Sequence, residues 1–117
     1  NYVDMCHHVI TGMYDSTPSN EYVGYIRPQE HGNHTGAKKL EVSGLNIVSR
    51  HGFNFAVSQY DSLAMSGVLH AYELKEDEHT IVRIDYGVSG IGSNSCGPEL
   101  LDRYKLNDKE IALTFRM

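Results

Sequence analysis

Several residue types are scarce in this chain of 117 residues. It has no tryptophan, three prolines and two cysteines, and Lys and Arg together number 10 against 15 Asp and Glu. With a net charge of -5, we expect no nucleic-acid partner, because binding phosphates requires an excess of basic residues. No apolar run approaches the roughly 18 residues that span a bilayer, so we expect no membrane partner either. Two cysteines do not make a disulfide framework, and they leave the compartment open.

Alternation of apolar and polar residues is the dominant pattern in what remains. It predicts strands with one buried face; in the clearest case, Phe53, Phe55 and Val57 lie on one side. The predicted strands are "EYVGYIRP" (21–28), "AKKLEVSG" (37–44), "LNIVSR" (45–50), "GFNFAVSQY" (52–60), "HTIVRIDYGV" (79–88) and "KEIALTFRM" (109–117). Short turns are predicted at Ser43-Gly44 and at His51-Gly52.

One short helix interrupts this pattern. In "YDSLAMSG" (60–67), Asp61 is a suitable N-cap and Gly67 a suitable end. Together with the strands, this helix predicts an all-β fold, an antiparallel β-sandwich in a single domain that covers residues 1–117. The strand pattern runs to the last residue, so we expect the C-terminus to join a sheet.

The segment "YGVSGIGSNSCG" (86–97), called the glycine-rich segment below, is the most unusual stretch. A phosphate loop would need a further glycine or a Gly-Lys-Ser/Thr sequence and then a helix, whereas Gly97-Pro98 follows here. A Cys-His hydrolase built on Cys96 is a second hypothesis, although no helix follows to lower the pKa of the thiol. We favour a strand that bends at Gly87, Gly90 and Gly92.

Other polar clusters have ordinary interpretations. "MCHH" (Cys6, His7, His8) and "HGNH" (His31, His34) suggest metal binding, but neighbouring strand residues point to opposite faces, and a polar loop explains the second pair. We therefore predict no metal site. Glu76-Asp77-Glu78 is interpreted as a solvated turn, and no pair of carboxylates stands out as catalytic.

Four segments together are similar to the C-terminal domain of the large bacterial β-galactosidases of glycoside hydrolase family 2. They are "YIRPQEHGNHTG" (25–36), "GFNFAVSQY" (52–60), "LHAYEL" (69–74) and "IDYGVSGIGSNSCG" (84–97). Their order and spacing match the family along nearly the whole chain. Two positions depart from it, because His31 stands where the family usually has Asn and Cys96 where it has Trp.

The resemblance implies that these residues are one part of a multidomain retaining β-galactosidase. Its catalytic glutamates would lie in a TIM barrel, which needs about 200 residues or more, so no catalytic residue is expected here. The glycine-rich segment would shape the galactoside pocket through Asn94, Ser95 and Cys96. No cofactor is expected in this chain, and the resemblance implies Mg or Na in the parent enzyme.

Three further expectations accompany this interpretation. Arg27 and Glu30 are expected to brace a loop, and His70 to be a hydrogen-bonded interior residue. Half of a divided sandwich exposes sheet edges, which favours a homo-oligomer. The alternative function is an autonomous carbohydrate-binding module that stacks sugars on some of the eight tyrosines.

Overall fold

An antiparallel sheet of three strands organises the computed structural model, which describes residues 11–22, 33–87, 89 and 98–117. The sheet order is β1-β2-β3. The elements are β1 (His34–Val42), β2 (Leu45–Ser58), α1 (Ser62–Gly67), a 3-10 helix (Ala71–Glu73), β3 (Ile81–Asp85) and a second 3-10 helix (Asp102–Tyr104).

The turn between β1 and β2 confirms the prediction at Ser43-Gly44. Val42 pairs with Leu45, so the loop has only two residues. Ser43 has φ 48° and Gly44 has φ 85°. Positive φ at both central residues produces the twist that joins antiparallel strands most readily.

The second predicted turn, at His51-Gly52, is wrong, because β2 continues through it as one strand. Pairing with β1 jumps from Lys39↔Val48 to Ala37↔Phe53, so Lys38 lies opposite residues 49–52. Gly52 takes φ 89°, and the Lys38 Nζ donates a hydrogen bond to the carbonyl oxygen of Arg50 at 3.1 Å. The extra residues form a bulge, which a partner strand accommodates without ending the pairing.

The core lies on one face of this sheet. Its buried apolar residues are Leu40, Ile47, Phe53 and Val57, and Phe53 is only 2% exposed. The predicted alternation is confirmed at Phe53 and Val57, whereas Phe55 is half-buried against the core. The alternation of apolar and polar residues therefore identified the buried face of the longest strand, β2.

The two predicted strands that follow differ in outcome. Residues 81–85 of the first form β3, which pairs antiparallel with residues 54–58 of β2. The C-terminal stretch 109–117 forms no strand. It is joined to the sheet by an isolated bridge in which Val48 and Arg116 exchange hydrogen bonds of 3.0 and 3.1 Å, and Leu113 packs against the core. A strand is stabilised by a ladder of hydrogen bonds to a neighbouring strand. Alternation of apolar and polar residues does not by itself provide that neighbour.

The predicted helix is confirmed as α1. Asp61 is its N-cap, with Oδ1 accepting a hydrogen bond from the Leu63 amide at 3.2 Å, and the helix ends at Gly67. None of its residues is buried. In the described ranges no helix has the length and apolar character that a membrane crossing requires.

These elements agree with the all-β class. The part of the chain that the structure describes contains one sheet and few helical residues. The second sheet of a sandwich, like the single domain over residues 1–117, stays a prediction.

Candidate functional site

The predicted sugar-binding residues Asn94, Ser95 and Cys96 lie outside the described residues, as do the metal candidates Cys6, His7, His8 and His31 and the proposed brace Arg27 and Glu30. The structure does describe residues 86, 87 and 89 at the start of the glycine-rich segment and the residues from 98 onward that follow it, and these two stretches are called its flanks. These flanks indicate what holds the segment in place.

The first flank follows directly from β3. After Asp85 the chain continues through Tyr86 and Gly87 to Ser89, whose Oγ accepts a hydrogen bond from the Leu106 amide at 3.0 Å. Gly87 also lies near Leu106, since a Cβ at position 87 would be 3.6 Å from Leu106 Cδ1. Leu106 therefore holds the first flank.

The second flank begins after the glycine-rich segment and contains Glu99. Lys105 Nζ donates hydrogen bonds to Glu99 Oε1 at 2.7 Å and to Asp102 Oδ1 at 2.8 Å. The hydrogen bonds that Lys105 donates to Asp102 and Glu99 raise the pKa of Lys105 and lower the pKa of both carboxyls. Adjacent residues, Lys105 and Leu106, thus hold the two flanks.

The sequence pattern did not predict this support. Asp102 and Lys105 are three apart, a spacing typical of a local ion pair, and that signal was available. The contact between Ser89 and Leu106 has no counterpart in any local pattern. Only the folded chain brings these residues together.

His34, predicted to lie in a polar loop, is instead the first residue of β1. Its ring stacks on the ring of Phe55, which is directly opposite in the sheet, with centroids 4.8 Å apart and an interplanar angle of 17°. Its Nε2 contacts the carboxylate of Glu21. Burial raises the pKa of Glu21, but hydrogen bonds from Ser16 and His34 outweigh it, and the pKa is lowered from 4.5.

Asn33, next to His34, is fully buried, and its side-chain amide has no hydrogen-bond partner among the described residues.

A second polar cluster joins three parts of the chain. Tyr22 and Tyr60 lie with ring centroids 4.9 Å apart, and the Tyr60 hydroxyl donates to Glu76 Oε1 at 3.2 Å. Ser19 Oγ donates to Gln59 Oε1 at 3.3 Å. These contacts join residues 19–22 and Glu76 to the two residues that follow β2.

The acidic run 76–78 is exposed, as predicted. His70, predicted to be interior, is exposed, and that prediction is wrong. Its ring stacks on Tyr72 with centroids 5.2 Å apart and an interplanar angle of 9°.

In the described ranges, no three His, Cys, Asp or Glu side chains are grouped so that they could hold a metal ion. The magnesium or sodium ion that the resemblance implies for the parent enzyme thus has no such three-residue site among the described residues.

Comparison with known proteins supports one family. Residues 1–117 match the family described as "Beta galactosidase small chain". Among curated proteins named β-galactosidase, the one from Actinobacillus pleuropneumoniae is 38% identical over 115 residues, which are 98% of this chain and 11% of that protein. Those from Staphylococcus xylosus (37%, 80% of this chain) and Kluyveromyces lactis (36%, 89% of this chain) match over 10% of their own lengths. The chain therefore spans about a tenth of these relatives.

Proposed function

The chain belongs to the β-galactosidase small chain family, and we propose that it is part of the C-terminal sandwich domain of a longer retaining β-galactosidase of glycoside hydrolase family 2. One observation carries the proposal: 98% of the chain aligns with 11% of a protein named β-galactosidase. The remaining nine-tenths of such an enzyme has ample length for the catalytic domain.

The catalytic carboxylates belong, on this proposal, to a TIM barrel outside these residues. Retaining glycosidases place two carboxyl groups about 5–5.5 Å apart on either side of the scissile bond. In the part of the chain that is described, Glu99 and Asp102 bond to Lys105, and Glu21 contacts His34. Engaged in this way, these carboxylates stabilise structure rather than attack a sugar.

The role of this chain is to shape the galactoside pocket and to stabilise the assembled enzyme. The glycine-rich segment would reach the pocket with Asn94, Ser95 and Cys96. Support comes from its flanks, since Ser89 and Glu99 are both held by residues 105–106. A segment whose two ends share one support loses less conformational entropy when it contacts a ligand.

Cys96 distinguishes this pocket from that of the family. A tryptophan buries about 150–250 Å² against a ligand, and at about 25 cal/mol per Å² this is worth several kcal/mol at most. A thiol has no ring face to offer a sugar. We expect weaker stacking at this position and a substrate preference that differs from lactose.

The partners on this proposal are the other domains of the enzyme, the galactoside substrate and, in a homo-oligomer, further copies. Magnesium or sodium, if bound, would be held by residues of the parent enzyme outside this chain.

Activity of the whole enzyme tests the proposal. The full-length protein that contains this sequence should hydrolyse a chromogenic β-galactoside, and NMR should detect the β-anomer of galactose first, as retention requires. The 117-residue chain alone should be inactive. Sustained hydrolysis that follows the isolated chain through purification, or none by the full-length protein, would contradict the proposal.

Calorimetry separates the proposal from the alternative of an autonomous carbohydrate-binding module. Galactose and lactose should not bind the isolated chain with a dissociation constant below about 1 mM, which corresponds to about -4 kcal/mol. Tighter binding, abolished by replacing exposed tyrosines, would favour the module.

A further inference from the structure

The connection between β2 and β3, residues 59–80, is much longer than the sheet requires. Because the two strands are antiparallel neighbours, a hairpin loop of roughly two to five residues would join them. The connection instead contains α1 and the first 3-10 helix.

Hydrogen bonds within the connection order its backbone. The Glu73 carboxylate accepts from the amides of Leu69 at 2.9 Å and His70 at 3.0 Å. At its base, the Asp77 amide donates to the carbonyl oxygen of Gln59 at 2.7 Å. The connection is thus shaped without a core of its own, since neither helix has a buried residue.

Three of its large apolar side chains point to solvent. Leu63 and Leu69 are each 78% exposed and Tyr72 is 83% exposed. We call these three residues the exposed apolar set. Burial of such side chains is favourable, so leaving three of them in water forgoes stabilisation that a partner surface could supply. These three exposed side chains in one connection offer apolar surface to a partner.

We propose that the exposed apolar set docks against the rest of the β-galactosidase, on an apolar surface outside these 117 residues. This inference rests on the proposed function. The chain accounts for 11% of the length of its Actinobacillus relative, so most of the enzyme that could cover the set lies outside it. The exposed acidic stretch 76–78 follows the set in the same connection. The complementary surface is therefore apolar at its centre and neutral or basic at its rim.

Hydroxyl-radical footprinting of the full-length enzyme tests the docking. The side chains of the exposed apolar set should be oxidised about tenfold more slowly in the native enzyme than in the same enzyme unfolded in urea, as expected for side chains removed from water. His79, whose side chain is 86% exposed in the same connection, is the internal control and should react at nearly its unfolded rate.

Two results would overturn the proposal. One is oxidation of Leu69 and Tyr72 at nearly their unfolded rates in the native enzyme. The other is protection that grows with enzyme concentration, because a second copy would then cover the set. Neither readout depends on catalysis. A full-length protein that hydrolyses no galactoside would therefore refute the proposed function, while footprinting would still test the docking.

A pair of variants provides an independent readout. The Leu69→Gln/Tyr72→Gln enzyme should inactivate several-fold faster on heating, while Leu69→Ile/Tyr72→Phe, which keeps the apolar surface, should match the parent. Equal half-lives for both variants would count against docking. If the glutamine variant does not fold, footprinting of the parent enzyme still decides.

Discussion

The backbone amide of Leu106 donates a hydrogen bond to Ser89 Oγ across 3.0 Å, while the neighbouring Lys105 holds Glu99 at 2.7 Å. Ser89 and Glu99 lie on opposite sides of residues 90–97. One short stretch of chain therefore fixes both ends of the segment to which we assign the sugar contacts.

Ser89→Ala tests this support. We expect a stability loss of only about 0.5–1.5 kcal/mol, as for one hydrogen bond, but a higher KM for β-galactosides in the full-length enzyme because the segment is less well held. The control is Ser66→Ala, which removes a hydroxyl bonded to the Leu63 carbonyl oxygen in α1. Equal KM values for Ser89→Ala and Ser66→Ala would argue against a role in positioning the segment.

Replacing three glycines by alanine should distinguish the cost of backbone strain from the cost of a steric contact. Gly52 has φ 89°, and a Cβ there would be 3.3 Å from the carbonyl oxygen of Ala37; Gly36 has φ 67° and open space; Gly67 has open space and no positive φ. Gly36→Ala should cost about 1 kcal/mol and Gly52→Ala more, whereas Gly67→Ala, in α1, should be neutral or slightly stabilising. Urea denaturation measures the order, and equal losses at all three positions would be inconsistent with it.

The contribution of the Glu21–His34 contact to stability should depend on pH. Because the pKa of Glu21 is lowered on folding, its contribution is complete above its ordinary value of 4.5 and is lost as the pH falls through the lower folded value. Glu21→Gln should therefore reduce stability at pH 6 and lose its effect in stronger acid. Denaturation curves at a series of pH values measure this, with the exposed Glu78→Gln as control. A difference that is independent of pH would exclude the carboxylate as its source.

Cys96→Trp in the full-length enzyme should strengthen lactose binding. An added indole face worth roughly 1.4 kcal/mol would lower the dissociation constant about tenfold. Cys96→Ser is the matched control, since it changes the thiol and adds no ring. Loss of activity in Cys96→Ser would instead favour the cysteine-dependent hydrolase. An unchanged affinity in Cys96→Trp would mean that this position does not contact the sugar.

Features that depend on residues close together in the sequence were predicted correctly, whereas features that depend on distant residues were not. Asp61 caps α1 through an amide two residues away, and the Ser43-Gly44 turn depends on φ values within the turn itself. Both were predictable from neighbouring residues. The His51-Gly52 turn and the C-terminal strand were not, because each depends on whether another strand pairs alongside.

By itself, the sequence determined the alternating faces of the strands, the two-residue turn, the short helix and membership of the β-galactosidase small chain family. The tertiary structure decided that β2 runs on through Gly52, that Val48 and Arg116 form a single bridge rather than a strand pair, and that residues 105–106 hold the two flanks of the glycine-rich segment. The reason is physical. Side-chain periodicity and backbone φ preferences are local properties, whereas a hydrogen bond between distant residues exists only once folding has brought its donor and acceptor together.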